Sequence, residues 1–403
     1  MRNPAKALSI LALGALALAG TGPDAVSARR LRADLEFLCS NALEGRVSLS
    51  RSAEVSALYI AAEFERVGLK PAAGTSYLQP FPLVAYDPDA KGTRLRMTRN
   101  GKTSELHRGP DFRGGFWRDL TIKAPVVFAG YGITAPEYRY DDYATIDARG
   151  KIALIFDHEP QETDAHSVFN GTGHTRYATA RVKMENARRH GAVAVLLASE
   201  PLRKHTGALE TVPSQGQPLR ASAPRQAIDE EAIPLIQLSD GAAAELIEPS
   251  GKTPADLQSA IDRDLKPASM PLPAEIELTT VAANVRRGQS ANVAGWIEGS
   301  DPALRGETVL MTAHYDHLGI HGGRVYPGAN DNASGTVGVM ELARLFAADP
   351  TPPRRSLLLI VFGSEEEGLL GSYYYVDHPL RPLETTRAVL NLDMIARDEA
   401  HIP

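Results

Sequence analysis

The side chains best suited to chemistry fall in four short clusters between residues 312 and 393, each just after an apolar run. His314 and Asp316 stand two apart, followed by His317, Leu318 and Gly319. Asp331 lies between two asparagines in a glycine-bounded loop, Gly328 to Gly335. Glu365, Glu366 and Glu367 follow the apolar run that ends at Phe362, and Asp393 follows the one that begins at Ala388. In an α/β domain the loops at the carboxyl ends of the strands build the site. Donor groups recurring at successive strand ends therefore point to one metal centre assembled from several loops.

Each cluster also has a plainer use. A His–Asp pair can be a surface hydrogen bond. Asp331 can cap the helix that follows it, and carboxylates are favoured at a helix start by its dipole. Three successive glutamates nevertheless exceed what capping needs, and a carboxylate in an apolar setting such as that of Asp393 requires a partner, a cation being one. Together the four clusters supply a mixed nitrogen and oxygen donor set suited to zinc. A metal-bound imidazole usually gives its second N–H to a carboxylate or carbonyl, a part open to Asp316. Two metals about 3.5–4 Å apart, bridged by a carboxylate, would activate a water for hydrolysis, and a spare glutamate is then the expected general base. Alternation sends His317 to the opposite face from His314 and Asp316, so His317 and His321 read as structural or substrate-side groups. Ser334 and Ser364 lack the G-x-S-x-G elbow, which argues against a serine hydrolase.

The elements that must position these groups alternate. Strands are expected at 308–313, 356–362 and 388–393, with helices at 335–348 and 368–377, the pattern of a largely parallel sheet. Upstream, apolar positions at helical spacing mark 53–67 as a helix that Gly68 stops, and 78–84 and 94–98 read as strands. Strands at about 125–132, 151–156, 192–197 and 233–238 with helices at 178–190 and 241–247 define a smaller domain over 122–255. Its histidines, His158, His166, His174 and His205, look like loop and surface chemistry, because no His pair has ligand spacing. Residues 275–286 and 291–298 are expected to form a hairpin around Gly288-Gln289.

Composition narrows the class. The 403 residues are 43% hydrophobic, enough for real cores. Lys and Arg number 43 against 49 Asp and Glu, giving a net charge of −6, and no basic block occurs, so no nucleic-acid partner is expected. Arg2 and Lys6 precede an apolar run at 7–19 that is short for a membrane span, and Val26-Ser27-Ala28 offers small residues for cleavage. The chain is therefore expected to be exported, periplasmic or secreted, with an earlier cut near Ala19 as the alternative. Thr21 stands where a lipoprotein box would need Cys, so no stable membrane anchor is expected. The one cysteine, Cys39, cannot form an internal disulfide and lies in a helical apolar pattern, as a small core residue would.

With these motifs the chain resembles the co-catalytic di-zinc aminopeptidases, the family that includes bacterial secreted leucine aminopeptidases, glutamate carboxypeptidase II and the transferrin receptor. The resemblance rests on Ala42-Leu43-Glu44-Gly45-Arg46, on His314-Tyr315-Asp316-His317-Leu318-Gly319 and on the acidic motifs that follow. It implies an α/β fold with a mixed, largely parallel sheet flanked by helices, and an inserted, β-rich protease-associated domain. The implied division is a signal peptide at 1–28, the first part of the peptidase domain at 29–121, the insertion at 122–255, a linker and return strand at 256–283, and the zinc peptidase core at 284–403. The insertion is expected to restrict access to the site rather than donate ligands. By motif, His314 and Asp393 would bind the first zinc, Asp331 would bridge two zincs, Glu366 would bind the second, Asp316 would orient His314, and Glu365 would be the general base. A cis Asp331–Asn332 peptide is a further implication. The implied function is zinc-dependent removal of N-terminal residues from peptides through a metal-bridging hydroxide. Carboxypeptidase or other amidohydrolase specificity stays open, as does a non-catalytic binding module on the same fold. The family's last histidine ligand has no counterpart by motif before Pro403, and His401 is in the wrong motif to serve. The 403-residue chain alone is therefore expected to bind at most one zinc tightly and to show little peptidase activity.

Overall fold

A computed structural model describes residues 26–88, 91–203, 225–230 and 232–397. The expected export segment up to residue 25, His205 and His401 lie outside these residues. The chain divides into two compact units, one of Met1–Leu83 with Arg287–Pro403 and one of Val84–Arg286.

In the first unit, α1 (Ala28–Leu38) is capped by the Ser27 hydroxyl, and α2 (Arg51–Arg66) by that of Ser50, which accepts from the amide of Ala53 at 3.1 Å. Along α2 the buried Ala53, Ala57, Ile60 and Phe64 recur at helical spacing, so one face enters the core. Gly68, at φ 85, takes the left-handed turn that ends the helix. Strands β1 (Leu78–Pro88), β2 (Ala282–Ile297), β3 (Thr308–His314), β4 (Ser356–Phe362) and β5 (Thr386–Asn391) lie in the order β1-β2-β4-β3-β5. β2 runs antiparallel to β4, whereas β4, β3 and β5 are mutually parallel. The sheet is thus mixed, with its parallel strands at the end that carries the chemistry. In β4, Leu357, Leu359 and Val361 face α2 and α3 (Gly335–Ala348), while Leu358 and Ile360 pack with Tyr375 of α4 (Leu370–Asp377). Burial on both faces accounts for the unbroken apolar run of that strand.

The second unit holds an eight-stranded mixed sheet among the described residues. Its order is Lys102–Leu106, Arg94–Arg99, Met270–Thr280, Leu120–Phe128, Ile152–Phe156, Ala194–Ala198, Leu235–Leu238 and Phe112–Gly115. The Leu120–Phe128, Ile152–Phe156, Ala194–Ala198 and Leu235–Leu238 strands run parallel. Val126, Phe128, Leu154, Phe156 and Leu196 fill one core, and Val127, Ala153, Ile155, Val195 and Leu197 the opposite one. The period-two alternation of strands divides these residues between the two faces.

Three sequence expectations give way. No hairpin forms around Gly288: Ala282–Ile297 is one continuous strand, and Gly288 is not among the glycines at positive φ that a tight hairpin turn would use. The stretch 256–283, expected as linker and return strand, supplies most of the helix Pro254–Asp264 and the strand Met270–Thr280, which pairs on both sides inside the second unit's sheet. The strands between 94 and 115 also pair there, so the unit reaches well beyond the expected 122–255.

Phe64 is fully buried between α2 and the sheet. Phe64→Ala should cost about 3–5 kcal/mol. The chain's two tryptophans, Trp117 and Trp296, fall one in each unit, so in a Trp117→Phe background Trp296 fluorescence follows the denaturant transition of the first unit. An unchanged midpoint there would contradict this packing.

Candidate metal centre

The register of the parallel strands sets the site. His314, the last residue of β3, pairs with Phe362 at the end of β4, and Thr312 pairs with Asn391 at the end of β5. The three strands end along one edge, and Glu365, Glu366 and Asp393 follow within four residues of β4 and β5. Asp331 arrives from the loop before α3.

His314 is buried, and its Nε2 makes no hydrogen bond. That nitrogen faces carboxylate oxygens of Asp331 at 3.2 Å, Glu365 at 3.6 Å and Asp393 at 3.7 Å. On the other side of the ring, Nδ1 lies 3.2 Å from the main-chain carbonyl of Asp316 and 3.7 Å from its carboxylate. The Asp316 carboxylate instead accepts the amides of Glu365, at 2.9 Å, and Glu366, at 3.2 Å. Asp316 therefore holds the turn that carries both glutamates, a task that its spacing from His314 did not disclose. Asn292 completes the support of that turn, accepting the amide of Gly363 and donating to the carbonyl of Gly371.

The Asp331 loop is fastened to the segment after β5. Its two flanking asparagines do this work. Asn332 donates to the carbonyl of Leu392 at 2.9 Å and accepts the amides of Gly335 and Met394, while Asn330 accepts the amide of Ala396. The cap of α3 is thus supplied by Asn332, which leaves the Asp331 carboxylate facing the site. Gly335 is required at this junction, because a Cβ there would lie 2.0 Å from the carbonyl of Leu392. The Asp331–Asn332 peptide is cis.

Arg46 anchors the other side. Fully buried, its guanidinium donates to the carbonyls of Leu38, Tyr315, Pro327 and Gly328, joining the N-terminal segment to the loops that carry His317 and Asp331. The Glu44-Gly45-Arg46 motif had drawn attention in the sequence only as a likeness; its burial and its four acceptors come from the fold.

The donors fall into two groups whose ligand-capable atoms lie within 4.8 Å of one another: His314, Glu365 and Asp393, and His317, Asp331 and Glu366. Asp331 touches both, through its contact with His314. His317 was set aside in the sequence by strand alternation. The strand ends at His314, so the alternation no longer applies, and Nδ1 of His317 meets Glu366 Oε1 at 2.5 Å. His321 turns away into the hairpin of Gly319–His321 and Arg324–Tyr326, where its Nε2 meets the carbonyl of Leu318.

The field of these acids is visible in their protonation. Burial works against charge on His314, yet Asp316, Glu365 and Asp393 raise it to about 9. Glu365 is pushed up by burial and by Asp316, Glu366 and Asp393, with His314 opposing. Asp393 is raised by burial and by its acidic neighbours. A buried unbonded nitrogen among carboxylates that resist ionisation is the donor set a divalent cation fits.

The first unit is thus an α/β core with nitrogen and oxygen donors at the ends of its parallel strands, and the second is a mixed-sheet unit with cores of its own. Residues 292–402 match Peptidase family M28 and residues 122–246 match the PA domain. The chain is similar to an aminopeptidase of Pseudomonas aeruginosa, 27% identical over 367 residues that make up 90% of this chain and 56% of that protein. Aminopeptidase YwaD of Bacillus subtilis is 42% identical over 90 residues, 22% of this chain and 18% of that one. A probable zinc metalloprotease of Leptosphaeria maculans is 29% identical over 39% of this chain and 33% of its own length. The chain thus spans about half the length of the Pseudomonas relative and less of the other two. Among solved structures it is similar to an aminopeptidase from Aneurinibacillus sp. strain AM-1, with a TM-score of 0.41 and 21% identity, covering 92% of this chain and 70% of that one.

In chelator-treated protein the His314 ring should titrate near pH 9, above its ordinary 6.5, and Asp316→Asn should move it downward. Because the folded value is raised, the associated stability is fully present below about pH 6.5 and is lost as pH rises through 9. Ring-proton NMR measures the titration; a His314 titrating at its ordinary value would contradict the geometry.

Proposed function

We propose that the chain is the core of an exported zinc-dependent aminopeptidase that removes N-terminal residues from peptides. The observation that carries this is the buried, unbonded Nε2 of His314 facing Asp331, Glu365 and Asp393. On this reading His314, Asp331 and Asp393 would hold a first zinc, and Asp331 and Glu366 would serve a second, with His317 beside Glu366. Bound there, the metals would polarise the scissile carbonyl and acidify a water at neutral pH. Glu365 would take the proton of that water and return it to the leaving amine. Its raised proton affinity suits both halves of the task, since an acid–base group works best with a pKa near the working pH. Asp316 acts through others, holding the glutamate turn by two amides and facing the far side of the His314 ring. All seven residues lie in the first unit, and none of them comes from the unit that holds the PA match.

Export rests on the basic and apolar opening of the sequence. Among the described residues no helix is long and apolar enough to cross a membrane. Ser27 caps α1, and its amide donates to Glu341 at 2.7 Å. A cut near Ala19 keeps this cap, whereas a cut after Ala28 removes it, so the earlier cut is the one we favour. The intact mass of the exported protein decides between them.

The test of the activity is turnover of an aminoacyl-p-nitroanilide by a full-length parent that includes these 403 residues. Chelator should abolish it and zinc restore it. Glu365→Gln should lower kcat by about 10²–10⁴ while zinc content stays at the parental level. Chelator-insensitive turnover, or a Glu365→Gln variant as fast as the parent, would overturn the assignment. A chain that binds zinc but turns over no such substrate would point to a binding module on the same fold.

A further inference from the structure

The second unit carries its own donor cluster, far in sequence from the site described above. His158 follows the Ile152–Phe156 strand by two residues, Glu162 lies four residues on, and His174 sits at the far end of the polar stretch that leads to the helix Ala180–Arg189. Read along the sequence, these histidines had no ligand spacing. The fold supplies what spacing between histidines did not, because the middle donor is a glutamate.

Nδ1 of His158 lies 2.9 Å from Glu162 Oε1, and Nδ1 of His174 lies 2.7 Å from the same oxygen. The ligand-capable atoms of the three residues all fall within 4.8 Å of one another. The side chains of His158 and Glu162 are each only 6% exposed, whereas that of His174 is 41% exposed. Two donors are thus fixed in the interior and the third lies at the surface, where an ion and a water have access.

The segments bearing the donors are pinned independently of the donors themselves. Glu159, next to His158, accepts the amide and the hydroxyl of Thr175, next to His174. Gln161, next to Glu162, donates its amide and its side chain to Asp262, at 3.0 and 2.6 Å. His158 and Gln161 both take left-handed backbone angles, φ 58 and 56, which residues other than glycine seldom adopt. The turn is therefore held in an uncommon conformation that aims His158 and Glu162 at one point.

We propose that His158, Glu162 and His174 bind a divalent transition-metal ion of zinc's class, with a fourth position open to water beside His174. Two imidazole nitrogens and one carboxylate oxygen are a donor set that zinc accepts. The distances now seen are hydrogen-bond distances, and a zinc with bonds of about 2.0–2.1 Å would spread the donors by roughly half an ångström. The exposed His174 has room to give this. Bound metal would fasten the polar stretch after the Ile152–Phe156 strand to the carboxyl end of that strand, a structural rather than a catalytic task.

The experiment separates this site from the one in the first unit. In the full chain, Asp331→Asn with Glu366→Gln removes donors of the proposed catalytic centre. This background should still retain one zinc per chain after dialysis, by elemental analysis, and adding His174→Ala should remove it. In the parent, His174→Ala alone should lower zinc by one per chain and leave aminoacyl-nitroanilide turnover unchanged. Cobalt loaded into the background should show visible absorption of a low-coordinate site, lost with His174→Ala. Glu162→Gln should act likewise; if its buried position prevents folding, the surface variant His174→Ala decides. Zinc content and cobalt spectrum unchanged by His174→Ala, or a background with no zinc at all, would overturn the proposal, whatever becomes of the peptidase assignment.

Discussion

Carboxylates cannot crowd together at no cost, and the first unit depends on how it arranges that crowding. Asp331, Glu365 and Asp393 each bring an oxygen within 3.7 Å of one imidazole nitrogen. Mutual repulsion and partial burial disfavour ionisation of Glu365 and Asp393. Such a cluster persists only if the backbone behind each acid is held from elsewhere. The fold does this with three asparagines, one further carboxylate and one cation: Asn330 and Asn332 behind Asp331, Asn292 and the Asp316 carboxylate behind the glutamate turn, and Arg46 behind the Tyr315 and Gly328 carbonyls. Preorganisation of this kind lets the acids face a single point instead of relaxing away from one another.

Arg46 differs in kind from the rest. A fully buried guanidinium with four carbonyl acceptors has its desolvation offset by charge-assisted hydrogen bonds. It joins a stretch of chain near residue 40 to loops more than 260 residues later. Lysine could not copy this, since a single ammonium cannot span the same fork of acceptors.

Much of this was legible in the sequence because strands and helices write themselves in apolar periodicity. The runs ending at Phe156 and Phe362 stand out because both faces of those strands are buried, whereas Thr386–Asn391 is apolar but largely exposed. The acids at their ends stood out because nothing apolar explains them. Tertiary hydrogen bonds left no such mark. Nothing in the spacing of Asp316 says that it takes the amides of Glu365 and Glu366. His317 was misplaced by extending strand geometry past the end of the strand. The long Ala282–Ile297 strand was read as a hairpin because Gly-Gln resembles a turn, though the backbone stays extended there. The His158, Glu162 and His174 cluster was invisible for a related reason: its members meet only once two left-handed residues fold the turn back on itself.

The first unit is built from two separated pieces of chain, Met1–Leu83 and Arg287–Pro403, with about 200 residues between them. A chain emerging from the ribosome therefore delivers α1, α2 and Arg46 long before β3 and β4 exist to receive them. The intervening unit has its own cores and all the strands of its sheet, so it can fold while the earlier piece waits. Once folded, it replaces a long flexible loop with a compact body, although loop-closure entropy grows only slowly with length, at about 0.6 kcal/mol per doubling. The waiting segment holds the buried arginine and the apolar face of α2, both solvent-exposed until the late strands arrive. Unpartnered apolar surface of this kind is what chaperones bind, and the interval between synthesis of Arg46 and of Gly328 is when this protein most needs one.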